Sequence, residues 1–147
     1  MKEERNITLR EGLDKFHKEH KGYLSHNKKG LSSEAQTFFK SHDIVHVLFG
    51  CDISLLGEGS VKIWTIFGTT LGFWKHIKGY QEANAFELSK NYNIAHVLNN
   101  IFKFLLSIPV LIIRAKRMSK PWPFSEYESY LNSEITEIRR EFNIRIL

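Results

Sequence analysis

Apolar residues recur along this chain at the three-to-four-residue spacing that gathers them on one face of an α-helix. No stretch sustains the strict alternation of a half-buried strand. Over residues 8–25, Leu9, Leu13, Phe16 and Tyr23 stand among charges, the pattern of a surface helix. Asn27-Lys-Lys-Gly30 is a turn, after which Ser32 or Ser33 can cap a second helix that ends near Gly50. Ala35, Phe38, Phe39, Val45 and Phe49 form its apolar face. A third helix is expected from about Val61 to Lys78. There Gly68 and Gly72, four apart and close to Trp64, Phe67, Leu71 and Trp74, suit tight packing against a neighbouring helix.

The segment Ile94–Ile113 is the most hydrophobic, and its length matches a bilayer span. Asn99, Asn100, Lys103 and Pro109 argue instead for a buried helix kinked near the proline. Its basic flank, Arg114 to Lys120, suits both a helix C-terminus and an interfacial lipid surface. Pro121-Trp-Pro-Phe124 is an extended break before two short helices, Ser125–Leu131 and Ser133–Phe142. The pattern is that of an all-α protein: one compact domain over residues 1–147, with about six to seven helices.

A chain of 147 residues can bury a sizeable core without disulfides, and its one cysteine, Cys51, permits none internally. Cys51 is a possible soft metal ligand but reads better as a small packing residue. The net charge of +5 comes with no nucleic-acid motif, so attraction to anionic lipid or phosphate is the better use of the basic surplus. The charged N-terminus lacks an apolar signal region, and the expected location is the cytoplasm, with peripheral contact at the inner face of a membrane.

Chemistry concentrates in one place. His42 and Asp43 are followed by His46 and, after eleven further residues, by Glu58. Residues four apart on a helix differ by about 40° on the wheel, so His42 and His46 share a face, and Asp43 lies about 60° from His46. The apolar neighbours point this cluster inward, where two imidazoles and carboxylates are costly unless paired or ligated. Four donors so placed make a divalent-cation site the leading reading. Imidazole with carboxylate suits zinc, with iron or manganese as alternatives. Asp43 is either a direct ligand or an outer group orienting a histidine. Gly57 and Gly59 read as a tight connection that lets Glu58 swing back to the histidines. His76, His96, Glu82 and Glu87 are each singly placed, which favours structural or surface roles.

With these residues on view, the chain resembles the ubiquinone (coenzyme Q) biosynthesis proteins of the Coq-four type. The likeness rests on His42-Asp43-Ile-Val-His46 through Gly50, then Gly57-Glu58, and on the C-terminal Met118-Ser-Lys-Pro-Trp122, Tyr130-Leu131 and Ile138 to Ile144. It implies a helical fold holding one divalent cation, usually zinc. It also implies an apolar surface for isoprenoid lipids such as a prenylated quinone precursor, association with quinone-pathway enzymes at a membrane, and a homodimer. Some members are linked to oxidative replacement of a ring carboxyl by hydroxyl at C1. Phe38, Phe39, Phe49, Trp64, Phe67 and the stretch from Phe102 to Ile113 are the candidate contacts for the lipid tail.

Two other functions compete with metal-assisted prenyl-lipid chemistry. The His-Asp-x-x-His spacing is similar to the His-Glu-x-x-His of zinc hydrolases, with the shorter Asp43 in the place of the general base. A non-catalytic scaffold with a structural ion and a bound lipid is the other.

Overall fold

The computed structural model describes residues 7–21, 32–72 and 94–146, with side chains from 101 onward in the last segment. Among the described residues, five helices of seven residues or more make up the architecture, where the sequence pattern suggests six to seven over the whole chain. They are α1 (Leu9–Glu19), α2 (Ser33–Phe49), α3 (Leu55–Gly68), α4 (Ile94–Lys116) and α5 (Ile135–Glu141). Among the described residues there is no strand, only isolated bridges from Thr8 to Glu134 and from Thr69 to Trp122. The fold is all-α.

α1 starts on a capping box. Thr8 accepts from the Glu11 amide at 3.2 Å, and the Glu11 carboxylate accepts from the Thr8 amide at 2.8 Å. Its buried Leu9, Leu13 and Phe16 face the core at helical spacing. Backbone bonds from Leu9 to Ser133 (3.0 Å), Arg10 to Leu131 (2.9 Å) and Ile135 to Ile7 (3.0 Å) fix its start against the C-terminal segment. α1 is therefore placed by the far end of the chain, and it ends at Glu19, earlier than the apolar pattern up to Tyr23 suggests.

Of the two serines available, Ser32 caps α2, accepting from the Ala35 amide at 3.2 Å. Gly50 ends the helix at φ 66°, in the left-handed region that glycine enters without strain. Arg139 of α5 donates to the carbonyls of Leu48 (2.8 Å) and Val47 (3.0 Å), two of the carbonyls that a helix end leaves without intrahelical partners.

α3 differs most from expectation. It begins at Leu55, capped by Ser54, and ends at Gly68, so Glu58 sits in its first turn and not in a connecting loop. Thr69 leaves the helix in an extended conformation, its hydroxyl donating to the Thr65 carbonyl at 2.6 Å. The chain then pairs with Trp122, through Trp122 to Gly68 (2.8 Å) and Thr70 to Trp122 (2.9 Å). Gly68 and Gly72 consequently do not share a helix, and Gly72 has a positive φ of 72°. The expected continuation beyond residue 72 lies outside the described residues.

α4 runs uninterrupted through Pro109 and packs along α3, burying Leu111 and Ala115. It is not the buried helix that its hydropathy suggests. Phe102, Leu105 and Leu106 are 61%, 57% and 62% exposed, and Ile101, Val110 and Ile113 are exposed beside them. At about 100° per residue these six positions cover half the helix circumference. No helix among the described residues is long and apolar enough to cross a membrane. Beyond α4, the first of the two expected short helices is a single 3₁₀ turn, Glu128–Tyr130, and the second is α5. Trp122, Tyr130 and Phe142 close this end in mutual ring contacts at 5.1 to 5.5 Å.

Candidate metal centre

His42 and His46 lie one turn apart on α2, both buried, with their Nε2 atoms 3.2 Å from each other and their rings nearly perpendicular at 87°. Glu58 reaches them from the first turn of α3, Oε1 lying 3.2 Å from His46 and Oε2 3.5 Å from His42. The three residues form a donor group whose ligand atoms all lie within 4.8 Å of one another, so this group could hold a metal ion. Donors on a tetrahedral ion at bond lengths of about 2.0–2.1 Å stand about 3.3–3.4 Å apart. The contacts of 3.2 and 3.5 Å lie near that spacing, the two from the histidines to Glu58 running to different carboxylate oxygens.

Glycines deliver the carboxylate, for a different reason than conformational freedom. A Cβ at Gly57 would run into the Asp52 backbone carbonyl, and one at Gly59 would come within 2.6 Å of the Phe104 ring. Each glycine allows a close approach, one to the loop after α2 and the other to α4. Glu58 is held between those two contacts.

The electrostatics call for positive charge. His46 Nδ1 lies 3.1 Å from the Cys51 carbonyl oxygen, which can only accept. The ring therefore carries its proton on Nδ1 and, when neutral, turns a bare Nε2 lone pair toward His42 and Glu58. Burial opposes charging this ring. Even so, hydrogen bonding to Glu58 and the charge of that carboxylate, aided by the Cys51 carbonyl and Asp43, leave its pKa above the ordinary histidine value. A cation would satisfy the same electron-rich focus that attracts the proton. The donor set fits a divalent metal.

Asp43 lies outside that donor group. Its Oδ2 meets His17 Nε2 of α1 at 3.0 Å. The preceding residue, Phe16, stacks on His46 with centroids 5.2 Å apart and planes 26° apart. Two consecutive α1 residues thus cover the α2 histidine face. The sequence reading missed both roles; the only available signal was His17 beside an apolar position of α1. Arg139 was noticed only as part of the C-terminal motif, yet it clamps the end of the helix that carries both histidines.

The other candidates fall elsewhere. Burial pushes the Cys51 thiol up to about 12, and it belongs to no donor group among the described residues. Phe39, Phe49 and Trp64 are fully buried, and the rings of Phe49 and Trp64 pack at 4.6 Å, so these three are core side chains. Phe38 is half-buried between Phe39 and Phe124, and Phe67 is exposed. A cavity of about 340 Å³ borders His46, and its lining mixes apolar side chains such as Phe16, Val47 and Ile135 with the charged Lys15, Glu19 and Arg139. His76, Glu82, Glu87 and the side chain of His96 lie outside the described residues.

Fold and site together define the class: an all-α protein with a cluster of two buried histidines and one half-buried glutamate that could hold a metal ion. Compared with family models, curated proteins and solved structures, the chain matches none of them.

Proposed function

We propose that this chain is a divalent-metal protein of prenyl-lipid or quinone metabolism, with zinc held by His42, His46 and Glu58. One observation carries the metal: two buried histidines and a half-buried glutamate from two helices bring their ligand atoms within 4.8 Å of one another. Bound there, a divalent cation supplies Lewis acidity to a ring carboxylate or phenolic oxygen. The chain's own residues do the rest. The Cys51 carbonyl fixes the His46 tautomer, Phe16 shields that ring from water, and Arg139 holds the end of α2 in place.

The exposed apolar arc of α4 supports the lipid part of the reading. Arcs of this size on a soluble surface mark contact with a partner or a membrane. This one is accompanied by Lys103, Arg114, Lys116, Arg117 and Lys120, the arrangement of a helix lying on an anionic lipid surface. Phe104 of α4 packs on Gly59, next to Glu58, so the arc and the donor cluster share a helix contact. An isoprenoid-tailed ring could leave its tail in the lipid and bring its head to the cluster, with other quinone-pathway enzymes assembling at the same surface. The hydrolase reading is weaker, because the carboxylate it needs as general base, Asp43, is engaged by His17.

Native mass spectrometry of the wild type, His42→Ala and Glu58→Gln tests the proposal. About one zinc per chain is expected, lost in both variants. Zinc at a hundred times its Kd should stabilise the fold by about 2.7 kcal/mol. A metal-free wild type that zinc does not stabilise overturns the metal reading. A prenyl lipid in the same spectrum supports the substrate class, and an apolar dimer without lipid contradicts it.

A further inference from the structure

On the wheel of α2, Asp43 stands between the two histidines in sequence and one turn before His46, a position from which a carboxylate commonly joins a metal shell. It faces two competing demands. Its side chain is only 7% exposed, so the charge must be met by a cation or by a hydrogen-bond donor. The donor cluster is near enough for the Asp43 charge to act on His46. The carboxylate nevertheless turns to His17, at 3.0 Å. That donor is presented by a different helix and comes from 26 residues away in the chain.

His17 is not brought there by local chain geometry. The Thr8 capping box and three backbone bonds to residues 131–135 set the position of α1. Phe16, stacked on His46, sets its rotation over α2. Side-chain exposure of 28% leaves the His17 ring in contact with solvent while its Nε2 reaches the buried oxygen. The packing of α1 thereby supplies a partner of Asp43.

We infer that His17 is a positioning residue that withholds Asp43 from the metal shell and keeps the protein donors at His42, His46 and Glu58. The inference rests on the metal reading above and deepens it. Three protein donors leave a tetrahedral ion one exchangeable position, the arrangement of catalytic sites, whereas a fourth carboxylate closes the shell as in structural sites. Without His17, the Asp43 carboxylate would be available as a fourth donor, which would leave a tetrahedral ion no exchangeable position. The His17–Asp43 contact therefore links the seating of α1 to the openness of the centre.

The test loads the full chain with Mn²⁺, whose bound water is read by proton relaxation, and measures Kd by competition with a chelator. Four proteins are compared with wild type: His17→Phe, His17→Gln, Asp43→Asn and His17→Phe combined with Asp43→Asn. His17→Phe should bind Mn²⁺ about tenfold more tightly, on the scale at which groups behind the ligands act, and should lower the bound-water relaxation by about a third, because this usually six-coordinate ion then keeps about two waters in place of three. His17→Gln keeps an N–H donor and should resemble wild type. The double variant should regain the relaxation, and Asp43→Asn alone should hold Kd within about twofold. Unchanged Kd and relaxation in a folded His17→Phe, or loss of the metal from it, overturns the inference. If His17→Phe does not fold, Asp43→Asn decides: a large loss of affinity makes Asp43 a ligand and overturns it. A wild type that binds neither Mn²⁺ nor Zn²⁺ overturns the metal reading itself, so the two failures are distinguishable.

Discussion

Substituting the two glycines that bracket Glu58 separates close packing from backbone freedom. Both lie within α3, where alanine should gain about 0.5–1 kcal/mol of helix stability over glycine if nothing else changed. At Gly59 the added methyl would stand 2.6 Å from the Phe104 ring, about 1 Å inside ordinary carbon–carbon contact. Overpacking of that kind costs about 1–3 kcal/mol, so the net loss should be about 0.5–2 kcal/mol. At Gly57 the obstacle is the Asp52 backbone carbonyl, which cannot swing aside as a ring can. Relief there must disturb the Ser54 cap, whose loss adds about 0.5–2 kcal/mol. Gly57→Ala should then cost roughly 1–4 kcal/mol in all, net of the helix gain. Urea unfolding of metal-free protein, followed by far-ultraviolet circular dichroism, measures both without interference from the ion. Phe104→Leu should soften the Gly59→Ala loss and leave that of Gly57→Ala unchanged, since the two methyls meet different neighbours. A Gly57→Ala protein as stable as wild type would refute the packing argument outright.

The raised pKa of His46 means that its ring holds a proton to higher pH than an ordinary histidine, and that proton competes with the cation. Zinc affinity should therefore climb as pH rises through the region just above about 6.5, and a Kd flat from about pH 6 to 8 contradicts the assignment. In metal-free protein the same shift acts oppositely: its stabilisation is fully present below the ordinary histidine pKa and is lost as pH rises through the raised one. Arg139→Met removes two charge-assisted bonds from the end of α2 and should cost about 2–4 kcal/mol, with weakened zinc binding; unchanged urea unfolding would deny the clamp. Leu105→Glu with Leu106→Glu should abolish flotation with anionic vesicles while shifting unfolding by less than about 0.5 kcal/mol each, because both side chains are exposed; flotation that persists excludes this face as the lipid contact.

What the sequence disclosed, and what it withheld, follows the range of the physics involved. His42 and His46 were legible because a four-residue step on a helix is fixed locally, and the Ser32 cap and Gly50 stop bound that helix by equally local rules. Glu58 does meet the two histidines, but not through a hinge: each flanking glycine is glycine because another segment crowds it. No local pattern reports the Asp52 carbonyl or the Phe104 ring. The aromatic residues failed for a related reason. Phe49, Trp64 and Phe102 are all apolar aromatics, and only the seating of α3 against α2 and α4 decides that two are core and one faces outward. Asp43 is the sharpest case. Its spacing permits ligation and its burial demands a partner, but a partner is supplied by α1, which is anchored by residues 131–135 at the other end of the chain. Donor spacing along one helix can therefore announce a metal site, while the number of donors that the protein commits to it depends on a tertiary contact. If an ion binds as proposed, that number in this chain, and with it the difference between a closed structural ion and an open reactive one, would depend on His17.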